Sequence, residues 1–254
     1  MTMGLTTLSQ SFILAAFLAF CRVGACLMLM PGLSSIRLPM QIRLFAAVAV
    51  TVGLLAFLWD NIYPHVDMRP AIFVPMIFSE LLVGALIGTL TRLYMEALRF
   101  IGAAIAMLIG YGGVGGPAIE EPEPQAALAA LISFAALMLL FALNFHHEVI
   151  RALVASYKVA PVNVFFSGQA SLVDVTDTLS EAFLLVLRLG SPFVAYAILV
   201  NLAIGFVNKL TPQIPIYFIS LPFVIAGGLI LFYFAVPTLL SLFGDGFIET
   251  TLAR

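Results

Sequence analysis

Long apolar stretches separated by short polar connections make up most of this sequence. Six of them approach the length of a membrane-spanning helix, which is about 17 to 25 residues. They are residues 12–30, 44–59, 71–91, 126–145, 182–206 and 214–243. A shorter helix is predicted between residues 93 and 109, where Glu96 and Arg99 precede a run of glycines.

The last apolar stretch is longer and less regular than the others. It carries no charge from residue 210 to residue 244, and it contains Pro215, Pro222, Gly227, Gly228 and Pro237. Proline removes a backbone donor and clashes with the preceding turn of a helix. We therefore expect a kinked span or a pair of shorter helices.

The connections between these stretches are short, and the only sizeable polar segment is residues 167–181. No repeat of fixed period is present. We predict a single domain over residues 1–254 with an all-α fold, namely a polytopic helical membrane protein with kinked helices and helical hairpins.

The composition indicates that much of the protein's apolar surface lies against lipid or a large assembly. Hydrophobic residues make up 63% of the chain and charged residues 9%, with a mean hydropathy of +1.14. A chain of 254 residues cannot bury that much apolar surface in one water-soluble core. The net charge of -2 argues against nucleic acid, which is bound mainly through Lys and Arg. A cleaved signal peptide is not expected, because residues 1–11 lack Lys and Arg and Arg22 lies in the apolar stretch that follows.

The run Gly110-Tyr111-Gly112-Gly113-Val114-Gly115-Gly116-Pro117 lies between apolar stretches and leads into Glu120-Glu121-Pro122-Glu123-Pro124. Glycine packs closely and adopts positive φ at little steric cost, but it does not favour a regular helix. In a membrane protein, such a run indicates a movable element. The acidic segment is interpreted as a solvated loop, since no Lys, Arg or His accompanies it.

Several ionisable residues fall within or beside apolar stretches. Ionisable groups that face lipid are costly, so each should meet a partner, a water-filled cavity or the interface. Those at the ends of stretches are expected to snorkel, whereas Arg22 and Glu80 lie too far inside. They indicate a subunit whose neighbours supply the missing partners. The basic members of this set are Arg22, Arg92, Arg99, Arg188 and Lys209.

Two stripes of small residues allow close helix packing in lipid. Gly84 and Gly88 form one, and Gly102, Ala106 and Gly110 form the other. Packing within the chain and contact with another subunit are both compatible with them. Cys21 and Cys26 are five apart and would not face each other on a helix, so they are interpreted as buried apolar residues.

No motif predicts catalysis, a metal site or a cofactor. In His146-His147-Glu148, a zinc-protease helix starting at His147 would need its second histidine at position 151, which is Arg151. A helix end at the membrane interface explains the two histidines better. No nucleophile elbow, phosphate-binding loop or Cys-x-x-Cys is present.

Several blocks, in order along nearly the whole chain, resemble the FliR family of flagellar biosynthetic proteins, called SctT in virulence injectisomes. The most specific is residues 199–214, LVNLAIGFVNKLTPQI, followed by FISLP at 218–222. The other blocks are PGLS at 31–34 with Leu38, Pro39 and Arg43, ELLVG at 80–84 with Gly88, NFHH at 144–147, and Ser156-Tyr157. The chain departs from the family at Gly113 to Pro117, where members often carry a Gly-x-Ser-like turn leading to Asp-Pro.

The resemblance implies a subunit of the type III secretion export gate, a helical assembly with a pore at the centre of the flagellar basal body. It implies FliP and FliQ homologues as partners, with FlhB and FlhA nearby, unfolded export substrates, and a multi-pass location in the bacterial inner membrane. Family members contribute one copy to the pore wall and supply a loop that plugs the closed channel. The glycine run occupies that loop's position. Candidate subunit contacts or buried polar residues are Arg22, Glu80, Arg188, Asn201, Asn208 and Lys209.

The alternative is a polytopic solute transporter, in which broken helices line a site near the bilayer midplane. It predicts internal pseudo-symmetry, which the sequence does not display. A membrane enzyme is a more distant alternative, because catalytic residues are not evident.

Overall fold

A computed structural model describes residues 2–35, 37–66, 69–113, 115 and 126–252. Within these ranges the chain forms seven α-helices and one short 3-10 turn, Tyr63–His65. The helices are α1 (Thr2–Leu29), α2 (Met40–Ile62), α3 (Pro70–Leu108), α4 (Ala127–Ala142), α5 (Phe145–Val159), α6 (Gly168–Leu210) and α7 (Ile216–Leu252). The all-α prediction is confirmed.

Five of these helices are long and apolar enough to cross a membrane, and α4 with α5 would together make a sixth, broken span. The qualifying segments lie in α1, α2, α3, α6 and α7. This matches the expectation of a polytopic membrane protein. The glutamate pair Glu120-Glu121 lies outside the described residues, so its interpretation as a solvated loop stays a prediction.

Three helix boundaries differ from the sequence predictions. The stretch at 71–91 and the shorter helix at 93–109 are one helix of 39 residues, α3. The polar segment 167–181 is mostly helical and forms the start of α6, which has 43 residues. The last stretch is one helix, α7, with Pro222 and Pro237 inside it, so the alternative of two shorter helices is wrong.

One of the prolines inside helices is accommodated locally. Pro192 in α6 lacks the amide hydrogen that would otherwise bond the carbonyl four residues earlier. That carbonyl belongs to Arg188, and it accepts a hydrogen bond from the hydroxyl of Ser191 at 2.9 Å. At helix starts, proline fits without cost, as at Pro70, the first residue of α3.

The helices group into two compact units, so the single-domain expectation stays a prediction. The first unit comprises Met1–Leu93 and Asn144–Thr178. Its core is formed by buried apolar residues of α1 and α2 with Met76 of α3, Tyr157 of α5 and Val162. The turn before α2 is held by Arg43, which donates to the carbonyls of Ser35 and Leu38.

The second unit comprises Tyr94–Leu143 and Leu179–Ala253. It brings together the C-terminal part of α3, α4, most of α6 and α7. Small residues mark the close contacts: a Cβ on Gly102 of α3 would lie 3.3 Å from the Cα of Ala129 in α4. Aromatic packing adds to the core, where Phe193 of α6 and Phe232 of α7 have ring centroids 6.4 Å apart.

Candidate functional sites

The first unit contains a close crossing of α1 and α3 at two glycines. A Cβ added to Gly84 would collide with the backbone carbonyl of Arg22, and one added to Gly88 would lie 2.7 Å from the carbonyl oxygen of Cys26. Gly84 and Gly88 therefore serve packing within the chain, which decides between the two alternatives that the sequence left open for this stripe. Cys21 and Cys26 are free and buried, as predicted.

This crossing positions Arg22 of α1 against Glu80 of α3. Both side chains are only 1% exposed. The Nε of Arg22 donates to Oε2 of Glu80 at 2.7 Å, and its Nη2 donates to Oε1 at 2.7 Å. Two parallel bonds of this kind give an arginine–carboxylate pair both strength and a fixed orientation.

The remaining donors of Arg22 reach α5 and the residue that follows it. Nη1 donates to the hydroxyl of Ser156 at 2.9 Å, and Nη2 also donates to the carbonyl of Ala160 at 2.8 Å. The guanidinium carbon lies 3.8 Å from the ring centroid of Tyr157, a distance typical of a cation–π contact. Arg22 thus links three helices of the first unit.

The expectation that neighbouring subunits satisfy Arg22 and Glu80 is therefore wrong, since each is the other's partner within the chain. A guanidinium with this many protein acceptors is held in place rather than available to a ligand. The arrangement is structural: it fixes α1, α3 and α5 at one point. Ser156, Tyr157 and Ala160 were not predicted to surround Arg22.

The second unit contains the glycine run, which begins at the end of α3. The amide of Tyr111 donates to the carbonyl of Ala106 at 2.8 Å, and the amide of Gly110 donates to that of Met107 at 3.1 Å. Gly110 has φ of 78°. This pair of bonds with a left-handed glycine is a Schellman motif, which ends helices. Gly110 therefore terminates α3 and is not part of a helical stripe with Gly102 and Ala106.

The described glycines that follow differ in how much space they have. A Cβ on Gly112 would lie 3.2 Å from Cγ of Met107. A Cβ on Gly113 or Gly115 would meet nothing within 4 Å. Gly115 forms an antiparallel bridge with Ala126, immediately before α4 begins. Of the predicted loop, Val114, Gly116 and Pro117 lie outside the described residues.

The start of the loop lies against α7. A Cβ on Gly110 would be 3.4 Å from Cδ1 of Leu221 and 3.6 Å from Cγ1 of Ile225. One turn further along α7, Gly228 packs so tightly on Ile109 that any Cβ would collide with it. Ile109 is fully buried. The entry to the glycine run is thus seated on residues 221–228 of α7.

The junction of α6 and α7 is highly exposed, with exposed residues at nearly every position from 201 to 215. Asn201 and Asn208 lie on α6 seven residues apart, and both are exposed, as is Lys209. Asn201 donates to the carbonyl of Ala197 at 2.8 Å. Large apolar side chains lie on the same segment; those more than half exposed between residues 198 and 219 are Ile198, Leu199, Leu202, Phe206, Leu210, Tyr217, Phe218 and Ile219. Arg188, nearer the middle of α6, is also exposed.

The two histidines lie in the first turn of α5, so they are at a helix terminus as expected, and their place at a membrane interface stays a prediction. Phe145 opens α5, after Asn144 with φ of 57°, and the rings of His146 and His147 are 4.2 Å apart. Among the described residues, no group of three or more His, Cys, Asp or Glu side chains is placed to hold a metal ion.

Residues 13–250 match the family described as bacterial export proteins, family 1. The chain belongs to this family. The flagellar biosynthetic protein FliR of Caulobacter vibrioides is 28% identical over 236 residues, covering 92% of this chain and 93% of the relative. FliR of Aquifex aeolicus is 26% identical over 232 residues, covering 90% and 88%, and FliR of Escherichia coli is 26% identical over 218 residues, covering 85% and 82%.

These matches and the apolar helices identify a multi-pass inner-membrane component of flagellar protein export. The solute-transporter alternative is not favoured. In this member of the export family, the block most like FliR in the sequence, residues 199–214, coincides with the exposed apolar junction of α6 and α7. One residue near the glycine run had no place in the sequence predictions: Tyr196 of α6, whose hydroxyl donates to α7.

Proposed function

We propose that this export protein forms part of the wall of the channel through which unfolded flagellar proteins cross the inner membrane. The glycine run plugs the channel in its closed state. FliP and FliQ homologues cover the exposed apolar surface, with FlhB and FlhA homologues beside the assembly. Export substrates pass as unfolded chains.

The plugging role is supported mainly by the backbone geometry of the loop. A Schellman motif at Gly110 ends α3, and two of the described glycines beyond it, Gly113 and Gly115, have open space within 4 Å of a would-be Cβ. The bridge between Gly115 and Ala126 closes the base of the segment before α4. A loop with a fixed base and several residues that lack side chains is suited to filling a narrow lumen and to leaving it without rearranging the helices.

Deleting residues 112–116 tests the plug. We expect the complex co-expressed with FliP and FliQ homologues to assemble as before, but to leak small ions or dyes when reconstituted in vesicles. The parent complex in matched vesicles is the reference. If the deleted complex assembles and remains as tight as the parent, the loop is a connector and another element seals the channel.

The partner surface is supported by the exposed apolar side chains around Asn201 and Asn208. Phe206 is 62% exposed and Phe218 75% exposed, and the same segment carries exposed Asn208 and Lys209, whose polar groups lipid tails cannot bond. Amides on such a face can hydrogen-bond across to another helix.

Co-expression tests the partner surface. We expect FliP and FliQ homologues to raise the yield of this protein and to co-purify with it as a hetero-oligomer. A monodisperse single-component protein obtained in equal yield without them would contradict the proposal.

A further inference from the structure

One hydrogen bond ties α6 to the segment of α7 on which the glycine run is seated. The hydroxyl of Tyr196 donates to the carbonyl of Val224 at 2.7 Å. Val224 lies between Leu221 and Ile225, the two α7 residues that face Gly110. Tyr196 therefore contacts the same segment of α7 that the start of the glycine run packs against.

The packing around this bond requires glycine at position 227. A Cβ on Gly227 would lie 2.6 Å from the hydroxyl oxygen of Tyr196, whereas the nearest ring carbon would be 3.4 Å away. Glycine at position 227 thus makes the space that the hydroxyl occupies. The next residue, Gly228, packs on Ile109, which follows α3. Gly227 thus faces α6, and Gly228 faces the end of α3.

This part of α7 is intrinsically weak as a helix. Pro222 has no amide hydrogen to donate to the carbonyl of Phe218. Gly227 and Gly228 each lower helix stability by about 1 kcal/mol relative to alanine. A segment with these three residues depends on its neighbours for its position, and the bond from Tyr196 is a directional contact of this kind.

We propose that Tyr196 is a positioning residue for the plug. Its hydrogen bond to Val224 keeps residues 221–228 of α7 in the place where they hold the entry to the glycine run, and loss of the bond releases the loop towards the open state. This inference rests on the proposed plugging role of the loop. It adds that the closed state is maintained from α6, outside the loop itself.

The test uses the complex co-expressed with FliP and FliQ homologues and carrying Gly113→Cys. A Cβ at position 113 meets nothing within 4 Å, and the native cysteines, Cys21 and Cys26, are buried. The labelling rate with a membrane-impermeant maleimide therefore reports the state of the loop. We expect Tyr196→Phe, which removes only the hydroxyl, to raise that rate and the ion leak roughly fivefold, the factor equivalent to about 1 kcal/mol for one hydrogen bond.

Tyr233→Phe is the matched control, because Tyr233 lies on α7 and its side chain is 75% exposed. It should label and leak like the parent. The yield and composition of the complex should be the same in all variants, which separates loss of positioning from loss of folding.

A second variant reaches the same bond from the other side. Gly227→Ala should displace the hydroxyl and raise labelling as Tyr196→Phe does. Combined with Tyr196→Phe it should cause no further increase, because the added methyl then meets the ring at 3.4 Å, an ordinary contact. Additive increases would show that the two residues act independently and would overturn the inference.

The deletion of residues 112–116 distinguishes this inference from the proposed function. If labelling rises in Tyr196→Phe but neither that variant nor the deletion leaks, Tyr196 positions the loop and the plugging role is wrong. If the deletion leaks while Tyr196→Phe labels and leaks like the parent, the plug stands and the role of Tyr196 is wrong.

Discussion

The guanidinium of Arg22 is buried inside the first unit, away from water. It stabilises the fold only when the carboxylate of Glu80 is beside it to balance its charge. Removing two charges from water is costly, and their attraction offsets this only when the geometry is good and the other donors are bonded. Here both conditions hold, with two bonds to Glu80 and further bonds to Ser156 and Ala160. The pair therefore specifies how the three helices meet.

Replacing one member of the pair should be far more damaging than replacing both. We expect Glu80→Leu to lower the free energy of unfolding by roughly 3–5 kcal/mol, because it leaves an uncompensated buried charge. Arg22→Met with Glu80→Leu should cost much less. Thermal unfolding of the purified protein or complex in detergent measures both variants.

The exposed pair of Glu148 and Arg151, 2.6 Å apart, is the control for this prediction. Glu148→Gln should change stability by no more than about 1 kcal/mol, because exposed ion pairs contribute little. A single Glu80→Leu variant as stable as the double variant would show that Arg22 finds another partner or reaches water.

The sequence indicated that Arg22 and Glu80 needed partners, but not that they were each other's. They are 58 residues apart, and the geometry that joins them depends on α1 and α3 crossing at Gly84 and Gly88. The same glycine pattern is compatible with contact to another subunit. Only the folded chain distinguishes these possibilities.

At the level of whole helices, the apolar stretches were found but their limits were not. Glu96 and Arg99 were expected to belong to a separate short helix, yet they form an ion pair one turn apart at 3.1 Å within α3. Such pairs support a helix, so the charges do not break it. The start of α6 was not predicted to be helical because it is polar. Polar residues do not prevent a helix, but they remove the apolar pattern from which helices were predicted.

The helix α5 was missed although its pattern is present in the sequence. Phe145, Val149, Leu153 and Tyr157 are all buried and recur at intervals of four, the spacing of one helix face. Hydropathy over membrane-length stretches does not detect a 15-residue amphipathic helix. Its helical periodicity predicts it, along with the face that carries Tyr157 towards Arg22.

The left-handed backbone at Gly110, at the end of α3, predicts increasing damage along a series of substitutions. Its φ of 78° favours glycine, is tolerated by asparagine and is unfavourable for other side chains. We expect flagellar export, measured as motility, to fall in the order parent, Gly110→Asn, Gly110→Ala, Gly110→Val. The added side chain must also fit against Leu221, so valine should be the most harmful.

Gly53→Ala is the control for this series, since Gly53 lies inside α2, outside the proposed partner surface around Asn201 and Asn208, with nothing within 4 Å of its would-be Cβ. It should be neutral. Equal motility for Gly110→Asn and Gly110→Val would indicate that the backbone at position 110 changes conformation without functional consequence.

For the molecule as a whole, hydropathy correctly predicted a membrane protein but did not identify what covers each apolar surface. The side chains of Leu210 and Phe218 are 80% and 75% exposed next to Asn208 and Lys209. Lipid would cover apolar groups equally well, and sequence composition alone does not separate lipid-facing from subunit-facing residues. Amides beside them distinguish the two cases, because they are stabilised by hydrogen-bonding partners that lipid tails lack.

Asn201 and Asn208 therefore provide a test of the assembled complex. They are seven residues apart in one helix and lie on one face, and amide hydrogen bonds between membrane helices contribute about 1 kcal/mol or less each. We expect Asn201→Leu with Asn208→Leu to reduce recovery of the hetero-oligomer with FliP and FliQ homologues several-fold and to impair motility. Gln169→Leu, an exposed amide at the other end of α6, should leave both unchanged. If the double variant assembles and swims like the parent, these amides face lipid or solvent, and the partner surface must lie on another part of the chain.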